Sequence, residues 1–117
     1  MDIQRIGVTP RYADAVVHAG VVHAVEVPPT EDGGITQQST QLLATLGATL
    51  ESAGSSKSRL LTATIYLTDM ADYDSFNAVW EAWLPAGAAP SRACVKVAGL
   101  ARPGWRVEVV VSAATIG

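Results

Sequence analysis

The sequence predicts an α+β fold, a small β-sheet with two helices packed on one face. Three observations lead there. Stretches of period-two hydrophobicity recur along the chain, two helical stretches fall between them, and 49% of the 117 residues are hydrophobic, enough for one well-buried core. A chain this short supports one domain, residues 1–117, because two cores would each be too small to hold. No linker, internal repeat or low-complexity run divides it.

The elements follow in order. "IQRIGV" forms a short strand that Pro10 ends, and "AVVHAGVVHAVEV" forms a hairpin of residues 15–19 and 21–27 turning near Gly20. Pro28 and Pro29 stop the second strand and "TEDGG" is a loop. From residue 36 to 53, Leu42, Leu43, Leu46, Leu50 and Ala53 recur at helical spacing, with Gly54 placed for a left-handed cap. "LLTATIYL" alternates as a strand, with Leu61, Ala63, Ile65 and Leu67 on one face. "TDMADYDSFNAVWEAWLP" is the second helix, striped by Tyr73, Phe76, Trp80, Trp83 and Leu84, with Asp69 or Asp72 as N-cap. Strands at 92–97 and 105–113 complete a β-β-β-α-β-α-β-β order, leaving one sheet face for water or, given the apolar content, another subunit.

Composition removes several function classes. A net charge of −3 without a basic stripe disfavours nucleic-acid binding, although one local arginine suffices for a small anion. Cys94 is the only cysteine, so no disulfide forms within the chain and a reducing compartment fits. With neither a signal-like N-terminus nor an apolar run near the roughly 18 residues a spanning helix needs, the expectation is a soluble cytoplasmic protein without a membrane partner.

The chemistry-bearing residues concentrate near "PSRACVKVAGL". There Ala93, Val95 and Val97 alternate as a half-buried face, which puts Arg92, Cys94 and Lys96 together on the other. If the last two strands pair antiparallel, Arg92 and Glu108 share a face. That pair is either a cross-strand ion pair worth about 0.2–1 kcal/mol or a site in which the guanidinium grips a carboxylate and Glu108 holds water. Cys94, with no neighbouring histidine base, reads as pocket lining, Asn77 as a helix amide needing a hydrogen-bond partner, and Tyr12 as a packing ring. Asp69, Asp72 and Asp74 lack the glycine and distal glutamate of a calcium loop, and His18 and His23 lack ligand-spaced companions, so no metal is expected. Neither a phosphate-cradling glycine loop nor a G-x-S-x-G turn is present.

Taken together, "RYADAVVHAG", "LESAGSSKSRLLTATIYLTDMADYDSFNAVWEAWLP", "PSRACVKVAGL" and "RVEVVVSA" resemble the RidA (YjgF-type) reactive-intermediate deaminase family nearly end to end. The resemblance implies a chorismate-mutase-like fold assembled as a homotrimer around a sheet-lined barrel, with active sites in clefts between subunits. It implies cofactor-independent hydrolysis of enamines or imines to 2-oxo acids and ammonia. It would make Arg92 the carboxylate clamp and Glu108 the group that positions water, with Tyr12, Asn77 and Cys94 lining the small-molecule site. One departure stands out: where the family usually shows a Ser-Gly-Gln-like stretch, this chain has Val25, Glu26 and Val27. That departure supports two alternatives, a non-catalytic metabolite-binding or regulatory trimer and a pathway-specific hydrolase with another substrate. Endoribonuclease activity, attributed to some relatives, is disfavoured by the acidic balance.

Overall fold

The computed structural model describes residues 2–117. The strands are β1 (Gln4–Ile6), β2 (Ala15–His18), β3 (Val21–Glu26), β4 (Leu60–Leu67), β5 (Ser91–Lys96) and β6 (Val107–Ala114). The helices are α1 (Ile35–Ser52) and α2 (Tyr73–Trp83), with short 3-10 turns at Lys57–Arg59 and Met70–Asp72. The element order matches the sequence reading, and both helices lie against one face of a single sheet.

Local chemistry explains where each element stops. Ala19 and Gly20 both have positive φ, 51° and 80°, which makes the tight two-residue turn that matches strand twist between β2 and β3. Helix α1 ends with Gly54 at φ 79°, while the Ser55 amide donates to the Leu50 carbonyl at 2.9 Å, a Schellman closure. Asp69 caps the 3-10 turn by accepting from the Ala71 amide at 2.9 Å. Asp72 makes no side-chain cap and instead pairs with Arg106.

The strand order is β1-β2-β3-β6-β4-β5, antiparallel throughout except for the parallel β4–β5 pair, which α2 connects. The last two strands are therefore not partners, so the antiparallel pairing that would have put Arg92 and Glu108 on one face does not form. The burial of β6 shows why: Val107, Val109, Val111 and Ala113 are all almost fully buried, the mark of an interior strand, so β6 inserts between β3 and β4 and leaves β5 at the edge. A second correction falls in β4. A bulge between Leu60 and Thr62 sends Leu60 into the core and leaves Leu61 exposed, after which Ala63, Ile65 and Leu67 resume the alternation.

Leu42, Leu43, Leu46 and Leu50 of α1, with Phe76 and Trp80 of α2, close over Val22, Ala24, Ile65, Val109 and their neighbours. Full burial of each large side chain contributes about 1.5–3 kcal/mol. The opposite sheet face has no such cover, and Val25 and Val95 stand exposed on it.

Gln38 ties the helix layer to the start of β6. Fully buried, it donates from Nε2 to the carbonyls of Gly104 at 2.9 Å and Gly33 at 3.3 Å, and its Oε1 accepts the Arg106 amide at 2.8 Å. The Gly104 amide donates in turn to Glu31 Oε1 at 2.9 Å. A Cβ on Gly104 would sit 2.9 Å from the Glu31 carbonyl oxygen, so this close approach requires glycine. Gln38→Leu keeps the volume but orphans these backbone groups. It is expected to cost about 1–3 kcal/mol, read as a lower midpoint of chemical or thermal denaturation.

Candidate active site

Arg92 opens β5, paired with Ala63 of β4, and so points to the helix-covered face. The alternation seen in the sequence holds, but its sense is inverted: Arg92 and Cys94 are half-buried beneath the helix layer, while Ala93 and Val95 face outward on the open side. Helix α2 and strand β5 meet at the sheet edge, where α2 supplies aromatic cover to Arg92, while Ala93 and Val95 fall on the sheet face that carries no helix. The Arg92 guanidinium lies 5.8 Å from the Trp80 ring centroid and 5.9 Å from that of Tyr73. Its Nη2 donates to the Tyr73 hydroxyl at 3.4 Å. Ring faces hold the cation without neutralising it, which leaves the planar fork available to an anion.

A cavity of about 380 Å³ opens beside it, lined by Arg92, Tyr73, Asn77, Trp80, Glu81 and Leu84 among others. Arg92 and Asn77, picked out separately in the sequence, thus meet in one pocket. The Asn77 Oδ1 is buried without a hydrogen-bond partner. Cys94 follows two residues after Arg92 on the same face and packs against the core. Burial pushes its thiol pKa up, and the opposing effect of Arg92 is smaller, so it fits lining rather than nucleophilic attack.

Glu108 and Tyr12 lie elsewhere. Glu108 pairs with Tyr66, which pairs in turn with Val95, so Glu108 is on the open face and Arg92 on the other. Glu108 makes no ion pair among the described residues, and burial raises its pKa above the ordinary 4.5. Tyr12 ends a small turn in which its amide donates to Thr9 Oγ1 at 3.1 Å and the Thr9 amide donates to its carbonyl at 2.7 Å. Tyr12 is 63% exposed and does not pack as the sequence suggested. A single chain therefore brings Arg92 and Asn77 into one pocket, keeps Cys94 on the same sheet face outside its lining, and presents Glu108 and Tyr12 elsewhere.

Glu26 ends β3 on the helix-covered face, in register with Val109, Ile65 and Cys94 across the sheet. The fully buried Val109 and Ile65 separate it from the Arg92 side. Burial is the main reason its pKa is raised; the Val27 amide opposes the shift and Asp14 adds to it.

Two groups were missed in the sequence. Arg106 grips Asp72 with both ends of its fork, Nε to Oδ2 and Nη2 to Oδ1 at 3.0 Å each, fixing the entry to β6 against the start of α2. Asp72 is the chief cause of Arg106's raised pKa. Gln38, described above, supports the same segment two residues before Glu108. Among the described residues no three His, Cys, Asp or Glu side chains gather as metal ligands, and no helix is long and apolar enough to cross a membrane.

Fold and pocket together define a small α+β protein with an arginine-bearing cleft at the edge of its sheet. Residues 3–115 match the family model described as Endoribonuclease L-PSP, and the chain belongs to this YjgF/RidA family. It is 40% identical to the RutC family protein YoaB of Escherichia coli (strain K12), over 97% of this chain and 99% of that one. The crystal structure of a YjgF family member from Neisseria meningitidis superposes with a TM-score of 0.95 at 42% identity, covering 100% of this chain and 98% of that chain. A more distant relative, the 2-iminobutanoate/2-iminopropanoate deaminase of Mus musculus, is 35% identical over 66% of this chain and 56% of its own length.

Proposed function

We propose that this protein hydrolyses reactive imines or enamines of small carboxylic acids, releasing a 2-oxo acid and ammonia without a cofactor. The observation that carries the reading is Arg92, a guanidinium held by aromatic faces, free of any carboxylate partner, at the wall of a pocket sized for a small molecule. Family membership and the activity named for the mouse relative support it.

In this reading Arg92 binds the substrate carboxylate bidentately, while Asn77 and Cys94 shape the pocket. Glu108 holds and activates the water that adds to the imine carbon. The resulting carbinolamine collapses, its nitrogen leaving as ammonia and its oxygen staying as the keto group. Holding water and electrophile together accounts for much of the acceleration, since the addition is chemically easy.

Because Arg92 and Glu108 lie on opposite faces of one sheet, the site is completed between copies of the chain. The uncovered face, with Val25 and Val95 exposed, is the surface we assign to a homotrimer, and it carries Glu108 into the interface. Tyr12, exposed at the opposite side from β5, is available to a neighbouring cleft. The test is ammonia release from 2-aminoacrylate, generated in place by a pyridoxal-phosphate dehydratase. Acceleration over the spontaneous rate supports the reading, and its absence rejects it for this substrate.

Glu26, at the stretch where the sequence departs from the family pattern it resembles, favours a restricted substrate range. In one chain Val109 and Ile65 stand between Glu26 and Arg92, so Glu26 opposes a carboxylate bound by Arg92 only where the assembly brings it to a neighbouring copy's cleft. Glu26→Gly is expected to raise kcat/KM on 2-imino acids about five-fold, as removal of roughly 1 kcal/mol of like-charge repulsion would. Unchanged kcat/KM would put Glu26 outside the cleft.

A further inference from the structure

We propose that the Arg92 pocket selects dipolar ligands, with Glu81 and Asn77 recognising a nitrogen that bears hydrogens while Arg92 holds the carboxylate. The inference rests on the carboxylate-clamp reading above and adds a specificity residue, Glu81, to it. Three features carry it.

Glu81 lines the same cavity as Arg92, yet the two make no ion pair; among the described residues the only such pair is Arg106–Asp72. The pocket thus keeps a cation on the β5 wall and an anion on the α2 wall, each open to a ligand. Asn77 and Glu81 stand four residues apart on α2 and so share one helix face. Both present acceptors, and the buried Oδ1 of Asn77 has no donor among the described residues, which a ligand N–H would supply.

The complementary molecule has an anionic end for Arg92 and an N–H-bearing, preferably cationic, end for the α2 wall. A protonated 2-imino acid and an α-amino acid fit this description. A 2-oxo acid does not, because its carbonyl offers no hydrogen to Asn77 or Glu81. Hydrolysis would therefore convert a matched ligand into a mismatched one, and the wall that recognises the substrate nitrogen would help to expel the product.

L-Alanine and pyruvate are suitable probes, matched in carboxylate and carbon number and differing in ammonium against carbonyl. Calorimetric titration of the intact protein at low salt is expected to show alanine binding about five-fold more tightly than pyruvate, the contribution of one solvent-accessible charge contact. Glu81→Gln should abolish that preference by weakening alanine alone, whereas Arg92→Ala weakens both. Equal affinities in the wild type, no detectable alanine binding, or an equal loss for both probes in Glu81→Gln overturns the assignment. So does a change confined to subunit dissociation, which would place Glu81 at an interface. Ammonia release from 2-aminoacrylate is read separately, so an active hydrolase without probe preference rejects the role of Glu81 and leaves the hydrolase reading standing.

Discussion

Arg92→Ala is expected to lower kcat/KM for 2-aminoacrylate hydrolysis by about 10- to 100-fold, because a charge-assisted, bidentate contact to the carboxylate contributes about 1.5–3 kcal/mol. Its effect on folding should be small. The guanidinium makes no ion pair, and what it loses is its placement over Trp80 and Tyr73 and one long bond to the Tyr73 hydroxyl, together worth about 1 kcal/mol. Arg92→Lys separates two parts of the effect. It keeps the charge but removes the planar fork, so it should recover only part of the lost rate. Initial rates of ammonia release, measured beside the molar mass in solution, check both points. Unchanged turnover in Arg92→Ala would end the carboxylate-clamp assignment, and a lower molar mass than the wild type's would make Arg92 structural.

The contrast between Arg92 and Arg106 explains why one arginine is a candidate ligand group and the other is not. Arg106 is saturated by Asp72 at both ends of its fork and has its amide bound by Gln38. Its work is to hold the segment entering β6, and with it the position of Glu108. The sequence singled out Arg92 and passed over Arg106, although both stand at the start of a strand. Only the partners decide.

The order of elements was legible because period-two and period-3.6 patterns are local. Leu42, Leu43, Leu46 and Leu50 declare a helix face, and Gly54 marks its end, without reference to the rest of the chain. Strand order was not legible, because β6 reaches its partners Val21–Glu26 and Leu60–Leu67 from far along the chain, and alternation fixes faces but not neighbours. The inverted sense of β5 has a similar origin. The face of Arg92, Cys94 and Lys96 could be wet or the wall of a pocket until Tyr73 and Trp80 of α2 are seen over Arg92. Gln38 left no signal, since its partners are backbone carbonyls and an amide in loops that carry no distinguishing side chain. The candidate residues were named as a set through their resemblance to a family, whereas the placement of Arg92 and Glu108 on opposite faces followed only from the sheet register.

Glu108→Gln should lower kcat about 100-fold, the lower end of a general base's contribution, while leaving KM nearly unchanged. A pure rise in KM would mean that Glu108 binds substrate and does not handle water. The wild-type rate should rise with pH through the Glu108 pKa, which burial places above 4.5, because the carboxylate is the form that can accept a proton. Stability should move the other way. Below 4.5 the side chain is protonated in both folded and unfolded chains and contributes no pH dependence. Between 4.5 and the raised folded value, the folded chain holds its proton while the unfolded chain has lost it, so stability falls as pH rises. Above that window the cost of keeping a partly buried, unpaired carboxylate is constant. Glu26, whose pKa is raised as well, contributes with the same sign, so the Glu108 share is the difference between wild type and Glu108→Gln. The variant should therefore match the wild type in thermal midpoint near pH 4 and exceed it at neutral pH, becoming more stable as it becomes inactive. Equal midpoints at both pH values would mean that Glu108 is solvated in the assembled protein, and a water-activating role in a shielded cleft would then have to pass to another residue.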